Sequence, residues 1–169
     1  MMTPLPNTEH QDIVGGLVGA FREVVRRSEG MVLPGVNVSD REKDWKYNYR
    51  CPDVVVFFAG GHAKDFGTHW CGGPDFAVEI RSDDDQTREK IPFYEKIGTR
   101  ELLIIEREPW SLELLRLVGG ELRSVGTVTE AASEQLSSEI LLVSFRLVAG
   151  DDRPSIRVVR SSDGRARDI

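Results

Sequence analysis

Asp75-Phe76-Ala77-Val78-Glu79-Ile80-Arg81-Ser82 is the stretch whose reading decides the fold. Apolar Phe76, Val78 and Ile80 alternate with Asp75, Ala77, Glu79 and Arg81, the two-residue period of a strand rather than a helix. That alternation sends Phe76, Val78 and Ile80 into the core and sets Glu79 and Arg81 on the opposite face. A carboxylate inside so apolar a strand is costly to bury unless it is paired or bound to metal. Its face is therefore where chemistry is expected.

Working back from this strand, a Gly-rich stretch from Gly60 to Gly73 leads to Pro52-Asp53-Val54-Val55-Val56-Phe57-Phe58. The unbroken apolar run after Asp53 suits a central strand covered on both faces. Residues 31 to 38 read as another strand, joined to it by a charged connection over 39 to 48, in which Trp45 and Tyr47 are expected to pack on the sheet. Before them, Thr8 and Gln11 form a candidate capping box, and Ile13, Val14, Leu17, Val18, Phe21, Val24 and Val25 recur at helical spacing. This predicts a helix over about 8 to 28, stopped by Gly30.

Working forward, Asp83-Asp84-Asp85 precedes a predicted helix from Gln86 to Ile97, ended by Gly98, with Pro92 inside it. The acidic run reads as a solvated loop whose charge favours the helix N-terminus. Leu102 to Ile105, Leu112 to Leu117 and, past Gly119-Gly120, Leu122 to Val128 read as a meander. Leu141 to Val148 and Ser155 to Val159 flank Gly150-Asp151-Asp152 as a last hairpin. The expected organisation is a disordered start over 1–7, one domain over 8–160 and a frayed polar tail over 161–169. The order helix, strands, helix, strands implies an α/β (α+β) fold: a mixed β-sheet core flanked by helices, with additional β-hairpins.

The chain has 169 residues, 40% hydrophobic and 30% charged, which suits a single soluble core. Its longest apolar run is far short of the roughly 20 residues a membrane span needs, so no membrane partner is expected and the cytoplasm is the default location. Cys51 and Cys71 read as reduced thiols without a function. A net charge of −6 argues against coating nucleic acid by electrostatics alone. A local basic patch would be needed, and Arg41, Lys43, Lys46 and Arg50 are candidates, interleaved with Glu42 and Asp44.

Asp53 and Glu79 are the candidate metal ligands, on strands that a loop excursion can bring alongside. Oxygen donors favour Mg²⁺ or Mn²⁺ over zinc. Asp53 read structurally is a turn aspartate after Pro52, and Glu79 a partner for Arg81 or Lys90. Asp75 lies four residues from Glu79, about 13 Å along a strand, too far to share an ion. Tyr94, one helical turn from Lys90, reads as core, with a site role as the alternative. His62 and His69 lack metal-site spacing.

Pro52-Asp53 before an apolar strand, then Glu79-Ile80-Arg81-Ser82, resembles the pattern of the PD-(D/E)XK restriction-endonuclease-like superfamily. Arg81 stands where that superfamily usually has lysine, and arginine is too firmly protonated to act as a base. Lys90-Ile91-Pro92-Phe93-Tyr94 followed by Gly98 is similar to a bacterial branch of the superfamily in which the lysine has moved onto the next helix, to the position of Lys90. The resemblance covers roughly residues 8 to 148 and includes His10, where a histidine is often found. Gln86, in place of the usual aspartate, and Ser82-Asp83-Asp84, in place of Ser-Pro-Ser, depart from that branch.

The resemblance implies an endonuclease that hydrolyses phosphodiester bonds of nucleic acid, DNA in the first instance. Asp53 and Glu79 would hold Mg²⁺ (or Mn²⁺), Lys90 would assist and Arg81 would contact phosphate. A homodimer would fit, since one site cuts one strand. The competing expectation is a noncatalytic binding or regulatory module that keeps the fold, for which Arg81 and Gln86 speak. A hydrolase acting on another substrate is the third.

Overall fold

The computed structural model describes residues 7–81 and 87–169. The expectations for residues 1–6 and for Ser82, Asp83, Asp84, Asp85 and Gln86 lie outside the described residues. Helix α1 (Thr8–Val24) opens the chain, capped by Asn7, whose side chain accepts the His10 N–H at 2.9 Å. The cap is therefore Asn7 rather than the expected Thr8. The helix ends at Val24, short of residue 28, because the chain must turn to reach the sheet. Gly30 begins β1 (Gly30–Pro34) instead of stopping the helix, and a Cβ there would lie 2.5 Å from the Phe57 carbonyl oxygen.

The single strand expected over 31–38 is broken by Pro34 and Gly35, leaving β2 (Val38–Ser39) to join a separate small sheet. A short 3-10 turn (Trp45–Tyr47) and β3 (Tyr49–Arg50) follow. Trp45 is half-buried, but Tyr47 is 83% exposed and does not pack on the sheet. Strand β4 (Val54–Phe58) comes next, then two short strands within the Gly-rich stretch, β5 (Lys64–Asp65) and β6 (Trp70–Cys71). Strand β7 (Phe76–Ile80) leads to α2 (Thr87–Lys96), which continues through Pro92.

Strands β8 (Glu101–Arg107), β9 (Trp110–Val118) and β10 (Glu121–Thr129) form the expected meander. Gly119 and Gly120 both have positive φ, 62° and 88°, which matches the tight turn between β9 and β10 to the twist of the strands. The remaining strands are β11 (Leu136–Ser137), β12 (Val143–Val148), β13 (Ser155–Arg160) and β14 (Ala166–Asp168). The tail expected to fray thus adds a strand. Arg157 holds Asp168 with two hydrogen bonds of 2.6 Å, Arg167 reaches Glu23 at 2.8 Å, and Ile169 packs against Gly16 of α1. Charges that look solvated in sequence are paired in space.

The central sheet has six strands in the order β1-β4-β7-β8-β9-β10. Only β7 and β8 run parallel, joined by α2 as the crossover; the other neighbours are antiparallel. The fold is mixed α+β, as expected. One face buries Val54, Val56, Phe76, Val78 and Ile80 against α1 and against Phe145 and Ile156 of the β11-β12-β13-β14 sheet. The other buries Val55, Phe57, Ala77, Leu102 and Ile104 against Phe93, Tyr94 and Ile97, with Val38 and Trp70 of the β3-β2-β6-β5 sheet. Both faces of β7 are therefore covered, and Glu79 lies in an interior rather than on an open surface. Among the described residues no helix is long and apolar enough to cross a membrane.

Candidate active site

Asp53 sits one residue before β4, between Pro52 and the apolar run that fixes the strand. Its backbone N–H donates to the Val78 carbonyl at 3.0 Å, and its carboxylate Oδ2 accepts the Ile80 N–H at 2.7 Å. These two bonds bracket Glu79 on β7 and set Asp53 near enough for its charge to act on the Glu79 carboxyl. The other oxygen, Oδ1, lies 2.8 Å from His10 Nε2 on the first turn of α1. Sequence reasoning reached His10 only through the resemblance, since the contact joins residues 43 apart that meet only when α1 packs on the sheet.

Glu79 is 2% exposed. Lys90 Nζ, from the first turns of α2, donates to its Oε2 at 2.9 Å, and the hydroxyl of the fully buried Tyr94 donates to its Oε1. Lys90 and Tyr94 stand one helical turn apart, so both reach the same carboxylate. Tyr94 combines the two roles weighed for it, a core ring with its polar end at the site.

Burial pushes the Glu79 carboxyl above its ordinary range, with Lys90 and the Tyr94 hydroxyl opposing the rise and Asp53 adding to it. Asp53 is also raised by burial, opposed by the Ile80 N–H and His10. The Tyr94 phenol is pushed well up by burial and by Glu79 beside it. Two carboxylates held close, both resisting ionisation, are primed for a cation, which would favour their charged forms.

Arg81 follows β7 but turns to another partner: its guanidinium pairs with Glu106 of β8. It lines a cavity of about 690 Å³ with Asn7, Glu9, Arg107, Trp110 and Arg153. The expected sharing of one face by Glu79 and Arg81 does not bring their side chains to a common partner among the contacts described. Asp75 serves the backbone, accepting the Phe58 N–H at 2.8 Å and the Arg100 guanidinium at 3.2 Å. His62 lies 3.0 Å from the Ile97 carbonyl, and His69 stacks on Trp45.

Among the described residues no cluster of three or more His, Cys, Asp or Glu side chains could hold a metal ion. Mg²⁺ does not require one, because it is commonly bound through one or two carboxylates with water and substrate phosphate completing the shell. Each carboxylate oxygen has room for more than one partner. The Asp53 and Glu79 pair therefore fits a hard divalent cation.

A family model described as "Uma2: Putative restriction endonuclease" matches residues 1–149. The chain is similar to a crystal structure of a "putative nuclease belonging to DUF820" from Anabaena variabilis, with a TM-score of 0.63 and 17% sequence identity. The match covers 83% of this chain and 78% of that one, and at this identity it speaks for the fold. No curated protein matches.

Proposed function

The chain belongs to the Uma2 family, and from that premise we propose that it is a divalent-metal-dependent nuclease hydrolysing phosphodiester bonds of nucleic acid, DNA first. The observation that carries the reading is the grip of Asp53 on the backbone on either side of Glu79, with Lys90 on the same glutamate. Asp53 and Glu79 are the residues that would hold Mg²⁺ or Mn²⁺. Bound there, the ion would polarise a phosphoryl oxygen and acidify water.

The chain's own groups do the rest. The Ile80 N–H and His10 fix the orientation of the Asp53 carboxylate, and Tyr94 fixes that of Glu79. Such supporting partners set ligand geometry as surely as the ligands themselves. Lys90 places a positive charge beside Glu79 that would orient water and meet the developing charge on phosphate. It assumes the role that Arg81 cannot fill as a base. Arg81, anchored by Glu106, contributes a phosphate contact from the end of β7.

The test is cleavage of labelled single-stranded and duplex DNA and RNA with Mg²⁺ or Mn²⁺. Activity is expected to vanish with chelator and with Glu79→Ala while the fold survives. A folded protein inert on every substrate would overturn the reading. That Glu79 accepts from both Lys90 and Tyr94 while Asp53 meets His10, five side chains partnered among themselves, favours as the second reading a noncatalytic binding module with the same fold. Thermal stability unmoved by either cation would favour that second reading.

A further inference from the structure

Away from the carboxylates, rings gather around the buried His69 and reach the surface at Phe66 and Tyr49. Phe66 stacks on His69 at 5.2 Å with 14° between planes, and His69 stacks on Trp45 at 4.9 Å and 11°. Tyr49 closes on Trp45 edge-on at 5.3 Å, and Lys46 Nζ lies 5.8 Å over the Trp45 ring. Rings of this size normally bury, yet Phe66 and Tyr49 are 42% exposed, and Tyr47, beside the row in the same 3-10 turn as Trp45, is 83% exposed.

The backbone beneath is held firmly. Asp65 Oδ1 accepts the Gly67 N–H at 2.7 Å in the turn that carries Phe66, Ser39 Oγ donates to the Asn48 carbonyl at 2.7 Å, and His69 Nε2 lies 3.2 Å from the Arg41 carbonyl. Lys46 lies over Trp45, the Arg41 backbone meets His69, and Lys43 and Arg50 belong to the same stretch of chain. Of the acids nearby, Asp40, just before the basic set, is taken up by Lys96 and Arg41, which hold its carboxyl well below the usual range, and the interleaved Glu42 lies 3.8 Å from Lys64.

We propose that this surface is a docking platform for single-stranded nucleic acid that leads into the site at Asp53 and Glu79. The proposal rests on the nuclease reading and names the substrate class of that site. Strand β3 runs directly through Cys51 and Pro52 into Asp53. The Arg50 guanidinium lies 4.8 Å over the Phe93 ring, and Phe93 packs edge-on against Tyr94, the donor to Glu79. The small sheet that carries the rings shares its core with Ala77, two residues from Glu79 on the same side of β7.

Stacking requires an exposed base face, which a single strand offers and a duplex hides. A base extending the row at Phe66 adds affinity of roughly 5- to 150-fold. The chain's net charge of −6 leaves little sequence-independent attraction for a duplex. Aromatic contact supplies what charge does not.

The experiment is fluorescence anisotropy with the full chain in chelator, so that nothing is cleaved. The probes are labelled oligothymidylate, labelled oligouridylate and an annealed DNA duplex. At least one single strand is expected to bind roughly tenfold or more tighter than the duplex, and the ratio of the two names DNA or RNA as the source. Phe66→Ala and Tyr47→Ala should each weaken single-strand binding by roughly 5- to 100-fold with an unchanged melting temperature, and Phe66→Trp should retain it. Equal affinity for duplex, no binding by either single strand, or an unchanged affinity in Phe66→Ala would overturn the platform. So would a homodimer that dissociates on Phe66→Ala, which would assign the surface to a second copy. Single-strand binding without cleavage under Mg²⁺ or Mn²⁺ would sink the nuclease reading and leave the platform supported.

Discussion

Tyr94→Phe removes one oxygen atom from a fully buried ring and leaves the ring's packing intact. What it deletes is the hydroxyl donor to Glu79, a carboxylate that is 2% exposed and has Lys90 as its other donor. A hydrogen bond to a charged buried group contributes about 1.5–3 kcal/mol. For a domain of this size, 1 kcal/mol corresponds to about 2–4 °C, so the melting temperature should fall by about 3–12 °C at pH 8 without metal.

The loss should depend on pH, and its sign follows from which form of Glu79 the bond favours. The Glu79 carboxyl is already raised above its ordinary 4.5 by burial, and the Tyr94 hydroxyl opposes the rise. The variant's carboxyl is therefore raised further. A group with a raised folded pKa contributes its stability below its unfolded value and loses it as pH rises through the folded value. The penalty should thus be smallest at the acid end, where the raised carboxyl favours its protonated form in both proteins, and grow as pH climbs. Thermal melts of both proteins across pH 4.5 to 8 measure it. A penalty equal at both ends, or absent at pH 8, would refute the assignment of the hydroxyl to the charged carboxylate.

Lys90→Met should lower cleavage by about 10²–10⁴-fold, the usual share of a group that orients or activates water, with the fold preserved in circular dichroism. His10→Ala should weaken Mn²⁺ binding by roughly 10–100-fold in calorimetry, because it frees one oxygen of Asp53 from its orienting partner. Away from the site, Glu101 is fully buried and joins Arg116 at 2.8 Å, Ser138 at 2.5 Å and the Glu139 N–H at 3.1 Å. Glu101→Ala should cost about 3–5 kcal/mol in denaturant unfolding, since it leaves the guanidinium without its buried partner.

Much of the fold could be read locally. The apolar run after Asp53 and the alternation around Glu79 mark strands because burial on a sheet imposes a two-residue period, and both are neighbours in the central sheet. The Asp53 and Glu79 pair was legible for the same reason, a charge set among apolar residues. Lys90 on the helix was legible only through the family pattern, since a lysine on a helix otherwise reads as solvated.

Other features depend on distant partners and left no local trace. Strand parity placed Arg81 beside Glu79 but could not show its pairing with Glu106 on the neighbouring parallel strand, 25 residues on. The aromatic row joins residues 45, 49, 66 and 69 across a small sheet whose two-residue strands are too short to show any period. The last strand was hidden by polar residues whose charges find partners on β13 and α1.

A crystal soaked in Mn²⁺, read by its anomalous signal, tests the central claim most directly. The account predicts one peak about 2.1 Å from an oxygen of Asp53 and from an oxygen of Glu79, absent in Glu79→Ala crystals. No peak at these carboxylates, or a peak held by other residues, would contradict it.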